Sequence, residues 1–263
     1  MPVLERPGGA KLHFEVSGRN HSPPLLLLNG LGTDLEMWRD QTAALERYFR
    51  VIRYDVQGHG KSTVAEPPPA TRSIDDLATD ALAVLDAARA ERAHWCGLSL
   101  GGMTAMAAAV RAPQRVLRLV LANTSAYLPP TDMWNARIAT VQQQGMEPIA
   151  AATAERWFTP EYRAASPEQV ERLVQMVRAT QPQGYIEGCI AVRDMDLREV
   201  IGQISAPTLV IAGTRDVATP IEHAEGLTAR IGNADMVVLD ASHLSNVEQA
   251  TDFNEAVLGF LRD

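Results

Sequence analysis

Cysteine is nearly absent from this 263-residue chain: Cys96 and Cys189 are the only two, far apart and at no metal-ligand spacing. A disulfide framework is therefore not expected, and reduced thiols in a cytoplasmic protein fit better. Basic runs are missing too. With 24 Lys and Arg against 32 Asp and Glu, the net charge is −8, which makes nucleic acid and anionic membrane surfaces poor partners. The longest strongly apolar run, Leu25 to Leu28, is far too short to span a bilayer. The stretch Met1-Pro2-Val3-Leu4-Glu5-Arg6 has neither the basic nor the apolar region of an export signal. No P-loop, dinucleotide fingerprint, metal-ligand set, internal repeat or low-complexity tract is present, so no cofactor and no metal are expected. What the chain does have is length: at 28.6 kDa, with 46% hydrophobic residues, folding buries enough surface that no staple is needed.

Short apolar runs alternate with longer segments of helical period, the pattern of an α/β protein with a mostly parallel sheet flanked by helices. Strands are expected at 11–16, 25–29, 50–54, 94–97, 116–122, 208–213 and 236–240, most of them apolar on both faces, as strands between two helical layers should be. Helices are expected at 35–47, 74–90 and 100–112, with a last one marked by Val247 to Leu261. The prolines 67–69 read as a surface loop. Between 127 and 204 no convincing strand appears, and helices are expected at 132–144, 147–158, 167–180 and 183–193. The organisation expected is a core from residues 1–126 and 205–263, with residues 127–204 as an inserted helical cap.

Gly97-Leu98-Ser99-Leu100-Gly101-Gly102 follows one expected strand and opens a helix of small residues. A serine on so sharp a turn is presented above the sheet, and the next amide, that of Leu100, lies at a helix N-terminus where a developing oxyanion is stabilised. Ser99 is the candidate nucleophile. A serine needs a base, and His243 stands in a loop after the 236–240 strand, at the sheet edge where open α/β folds keep their sites. His59 lies in the glycine-rich turn 58–60 and is the weaker candidate, while His13, His21, His94 and His223 read more simply as surface or packing residues. Asp216, after the 208–213 strand, is the candidate carboxylate to orient the imidazole. Asp194 and Asp196 read as solvated charges at a helix end. Asn29-Gly30-Leu31-Gly32, after the 25–29 strand, suits a second oxyanion donor, the amide of Leu31.

With the nucleophile, acid and histidine in that chain order, the sequence resembles the α/β-hydrolase fold family over essentially its whole length. The runs 29–38, 49–55, 96–99, Glu155-Arg156-Trp157-Phe158-Thr159 and 242–248 resemble more narrowly the 3-oxoadipate enol-lactonases of bacterial aromatic catabolism. Two positions depart from common hydrolase patterns: Gln57 stands where an arginine often precedes Gly-His-Gly, and Asn29 replaces the histidine of the usual His-Gly pair.

The resemblance implies a serine carboxylic ester hydrolase that opens a small anionic lactone. A carboxylate-bearing substrate in a chain of net charge −8 calls for a local donor, and Trp134 and Arg137, three apart on an expected cap helix, are the candidate substrate contacts. Trp157 reads as cap core. Other readings stay open: a capped esterase, lactonase, carbon-carbon hydrolase or perhydrolase of different substrate, or a ligand-binding protein on a hydrolase scaffold.

Overall fold

The computed structural model describes residues 3–69 and 71–262, so the first two residues of the amino-terminal stretch lie outside it. The strands are β1 (Val3–Glu5), β2 (Lys11–Ser17), β3 (Pro24–Leu28), β4 (Arg50–Tyr54), β5 (Ala93–Leu98), β6 (Val116–Ala122), β7 (Thr208–Gly213) and β8 (Ala234–Leu239). They form one sheet in the order β1-β2-β4-β3-β5-β6-β7-β8, antiparallel at β1–β2 and β2–β4 and parallel elsewhere. β5 and β7 are buried at every position, which accounts for their unbroken apolar character.

The helices around the sheet are α1 (Arg39–Leu45), α2 (Ile74–Ala87) and α3 (Leu100–Arg111). Between β6 and β7 the chain inserts α4 (Thr131–Gln144), α5 (Glu147–Trp157), α6 (Pro160–Ala165), α7 (Pro167–Ala179) and α8 (Pro182–Asp194). It then continues through α9 (Ile221–Arg230), α10 (Ser245–Glu248) and α11 (Ala250–Arg262). Every strand expected from the sequence is present to within two residues at either end. β1 and α6 were not expected, since three residues of strand and six of helix are too short to show a period, and α9 was expected only as a helical run around His223.

Two expected helices are broken. Residues 35–38 form a tight 3₁₀ turn before α1, with the Asp34 carboxylate accepting from the Glu36 amide. The last helix is interrupted at Gln249, whose backbone leaves the helical region while its side chain donates to Asp240 O at 2.9 Å. That break frees Glu248 to accept from the Ser242 amide at 3.0 Å and from the Thr159 hydroxyl, tying the loop after β8 to the inserted helices.

β4 lies on one side of β3 and β5 on the other, so the order of building reverses there and a crevice opens at the carboxyl ends of β3 and β5. Gly101 makes the close packing at this point feasible, because a Cβ on it would overlap the carbonyl of Leu28. The insertion closes over the same edge. α8 approaches the loop after β3 through Gly188, where a Cβ would overlap the Leu31 side chain, and an antiparallel bridge between Tyr127 and Asp196 joins its two ends. Among the described residues no helix is long and apolar enough to cross a membrane.

Candidate active site

Ser99 occupies the turn between β5 and α3 with φ 55° and ψ −118°, a conformation that L residues rarely adopt. The neighbouring structure holds it: the Ser99 amide donates to Ala122 O and Thr124 Oγ1 donates to Ser99 O. Its hydroxyl is 3.0 Å from His243 Nε2, and His243 Nδ1 is 2.9 Å from Asp216 Oδ2. The sequence candidates Ser99, Asp216 and His243 therefore form one hydrogen-bonded chain. His59 is buried away from it, with Nδ1 on Gln57 O at 3.0 Å.

Asp216 is held from all sides. Oδ1 accepts from the amides of Ala218 at 2.8 Å and Thr219 at 3.0 Å; Oδ2 accepts from Thr219 Oγ1 at 2.7 Å and Asn123 Nδ2 at 3.0 Å as well as from His243. Burial pushes its pKa up, but the charge and hydrogen bond of His243 together with the Thr219 donors outweigh it and hold the carboxyl well below the usual range. An ionised Asp216 requires the proton on Nδ1, leaving Nε2 to accept from Ser99.

Asn123 and Thr219 were not anticipated. Asn123 sits just beyond β6 at φ 44°, a left-handed conformation that asparagine tolerates, and its Oδ1 accepts from Ser245 Oγ at 2.5 Å. An asparagine at the carboxyl end of a buried strand, and Asp-x-x-Thr after the next, are the signals that were there to be read.

Leu100 opens α3 with its amide at the positive end of the helix, and Leu31 lies in the turn after β3. That turn is fixed from below: Asn29 Nδ2 donates to Tyr54 O, Trp38 Nε1 donates to Asn29 Oδ1, and Thr33 Oγ1 donates to Gly30 O. Gly30, Leu31 and Ser99 line one cavity. Gln57 takes part in packing, donating to the Asp80 carboxylate, which also pairs with Arg72.

The cavity measures about 380 Å³, within the range of small-ligand pockets. Ser99 and His243 lie in its wall together with residues of the insertion. Trp134 is buried, donates through Nε1 to Leu128 O at 2.9 Å and carries the Arg137 guanidinium 4.8 Å over its ring. Both line the cavity, as does Trp157, which is buried as expected of cap core.

The residue that sequence reasoning passed over is Arg156. It lines the cavity from α5, close to Arg137 and Tyr185, and its Nε is buried without a partner. Burial first, and then the Arg137 charge, lower its pKa, against the opposing pull of Tyr185 and Cys189. Among the described residues neither guanidinium makes an ion pair. Nothing in the spacing of α4 and α5 couples 137 to 156; only their packing does.

Asp194 and Asp196 pair with Arg193 and Arg198 at the surface, outside the site, as expected of solvated charges. His223 differs from expectation. Its ring lines the cavity, with Nδ1 2.8 Å from Ser125 Oγ. Among the described residues no group of three or more potential metal ligands is present.

A family model described as the alpha/beta hydrolase fold matches residues 23–250. A 3-oxoadipate enol-lactonase of Acinetobacter baylyi is 37% identical, covering 97% of this chain and 94% of its own. Two crystal structures superpose with TM-score 0.95: a hydrolase from Pseudomonas aeruginosa, 45% identical over 99% of this chain and 97% of that one, and the enol-lactonase from Burkholderia xenovorans, 38% identical over the whole of both.

Proposed function

This chain belongs to the α/β-hydrolase family, and from that premise we propose that it opens the ring of 3-oxoadipate enol-lactone to give 3-oxoadipate, a step of aromatic catabolism in the β-ketoadipate pathway. The observation that carries the reading is the pair Arg137 and Arg156: two guanidiniums without a carboxylate partner in the wall of a cavity that also holds the Ser99, His243, Asp216 chain. In a protein of net charge −8, leaving two cations unpaired in a partly buried place is costly unless a substrate anion completes them. The names of the similar proteins point to a lactone bearing an acetate arm, which is such an anion.

The chemistry follows from the geometry. His243 Nε2 takes the proton of Ser99 as Oγ attacks the lactone carbonyl. The oxyanion forms between the amides of Leu31 and Leu100, with the α3 dipole behind the second. Collapse breaks the ring C–O bond, the departing enolate oxygen takes the proton from His243, and the enol tautomerises to the ketone. Water, deprotonated by the same imidazole, then cleaves the Ser99 ester. The insertion acts as a cap that holds the carboxylate arm by Arg137 and Arg156 against the apolar faces of Trp134 and Trp157.

Ultraviolet decay of the enol-lactone with purified protein tests this, beside p-nitrophenyl acetate as a neutral ester. The expected result is a kcat/KM for the anionic lactone that exceeds the simple ester by orders of magnitude. Comparable values would leave an esterase without the carboxylate preference, and no turnover of either would leave a binding protein on a hydrolase frame.

A further inference from the structure

A second cavity, of about 320 Å³, lies beside the first, and His223 and Pro129 line both. Of its buried residues Ala126, Ile201 and Leu227 are apolar and Ser125 is polar, while Arg198, Arg230 and Glu222 are solvated around them. Arg198 is already engaged, 4.0 Å over the Tyr127 ring and paired with Asp196 at 2.6 Å. An apolar floor under a charged rim suits an alkyl chain better than a second anion.

The His223 ring between the cavities is held by one hydrogen bond whose direction can be worked out. Ser125 Oγ donates its single proton to Tyr127 O at 2.6 Å and accepts from the Tyr127 amide at 3.1 Å, so the imidazole 2.8 Å away must donate Nδ1–H to it. In the neutral ring this fixes the tautomer, with the proton on Nδ1 and a lone pair on Nε2. Burial also lowers its pKa, against the opposing pull of Asp216 and Glu222. A neutral ring offering only a lone pair gives no attraction to a carboxylate, so the anionic arm is left to the Arg137 and Arg156 end.

We infer that His223, pinned by Ser125, is a specificity-determining partition that shuts the aliphatic arm of an ester out of the second cavity and confines the catalytic cavity to short substrates. The inference rests on the hydrolase reading of the Ser99 site. It differs from the carboxylate preference in kind, because it concerns length and not charge.

The experiment measures kcat/KM for p-nitrophenyl butyrate and octanoate, which vary the acyl side, and for butyl and octyl acetate, which vary the alcohol side. Wild type, His223→Ala and His223→Phe are compared after circular dichroism and melting curves establish folding. In His223→Ala the octyl-to-butyl ratio should rise about ten-fold in one of the two series, the yield of roughly two further buried methylenes, and that series identifies which arm enters. His223→Phe, which keeps a ring in place, should retain the wild-type ratio. Ratios within two-fold of wild type in both series for folded His223→Ala would overturn the inference, and so would an equal rise in His223→Phe. Calorimetric binding of octanoate and butanoate to Ser99→Ala and to Ser99→Ala with His223→Ala reads the same partition without turnover. Loss of all esterase activity in wild type with a changed binding ratio would therefore sink the hydrolase reading and not the partition.

Discussion

The two sides of the catalytic cavity are built on opposite plans. On the side of the sheet the polar groups are engaged several times over: Asp216 accepts five hydrogen bonds, and Asn123 ties that carboxylate to Ser242 and Ser245. On the side of the insertion, Arg137 has a tryptophan face and Arg156 a buried, unpaired Nε, and the Tyr185 hydroxyl is a hydrogen-bond partner the two guanidiniums share. Groups that perform the reaction must be in place before substrate arrives, since preorganisation lowers the barrier. Groups that recognise the substrate gain discrimination by being left incomplete until it arrives. On the proposed function, the wall of arginines is the specific half of the site, and the chain from Ser99 to Asp216 is the general half.

The comparison breaks most sharply if the sheet side proves dispensable. Ser99→Ala removes only the attacking oxygen and should lower kcat by on the order of a million-fold while leaving the melting temperature within a few degrees. Retention of a tenth of the wild-type rate would mean that Ser99 is not the nucleophile. Asp216→Asn should cost about 10⁴-fold in kcat, because the imidazole loses the partner that fixes its tautomer. If His59→Ala were as damaging as His243→Ala in folded protein, the base would have been assigned to the wrong histidine.

The insertion side should respond to substrate charge, not to reaction type. Truncating one partner of a buried charged hydrogen bond costs about 2 to 5 kcal/mol. Arg156→Ala is therefore expected to lower kcat/KM for the carboxylate-bearing lactone by thirty-fold or more and to leave a neutral lactone of the same ring size nearly unchanged. Arg137→Ala should show the same selectivity with a smaller loss, since that guanidinium already rests on the Trp134 ring whereas Arg156 has a buried, unpartnered Nε, and Trp134→Ala should weaken both substrates through lost apolar contact. Steady-state kinetics of the three variants on both lactones decide it. Equal losses on charged and neutral substrates for both arginine variants would place the carboxylate elsewhere.

The same division explains what the sequence revealed and what it withheld. Ser99 was legible because a strand, a turn with glycines and a small-residue helix are local, and Asp216 and His243 because loops after successive strands converge at one edge of a parallel sheet. Arg156 was not, although it stood in the run 155–159 that carried the family resemblance, because its place in the cavity wall beside Arg137 comes from α5 packing against α4. His223 was dismissed as surface or packing because a helical position does not tell which way the ring turns, and here Ser125, ninety-eight positions away, turns it toward the cavity. The break at Gln249 was hidden because apolar spacing continues across it, while the bond from its side chain to Asp240 cannot be seen in any period.

The smallest effect lies far from both walls and separates stability from activity. His94, near the start of β5, is at the end of the strand away from Ser99, edge-on to Phe49 at 5.5 Å, with Nδ1 buried and unpartnered. Burial, then the charges of Arg118 and Arg92, lower its pKa to about 4. A histidine that stays neutral in the folded state while the unfolded chain takes up a proton contributes stability that is present above about pH 6.5 and lost as pH falls toward 4. His94→Phe keeps the ring contact with Phe49 and removes the titration. Allowing for solvent at a group that is not wholly enclosed, the variant should recover about 1 kcal/mol of the stability that wild type loses between pH 7 and pH 5, read from urea midpoints at the two pH values. Because His59 and His223 are also lowered by burial, some acid sensitivity should remain. kcat/KM at pH 7 should not move, since no part of the cavity touches β5 at this end. An unchanged acid dependence of stability would show that His94 already takes up a proton in the folded state near neutral pH, and an altered kcat/KM would show that the start of β5 is not mechanically separate from the turn that carries Ser99.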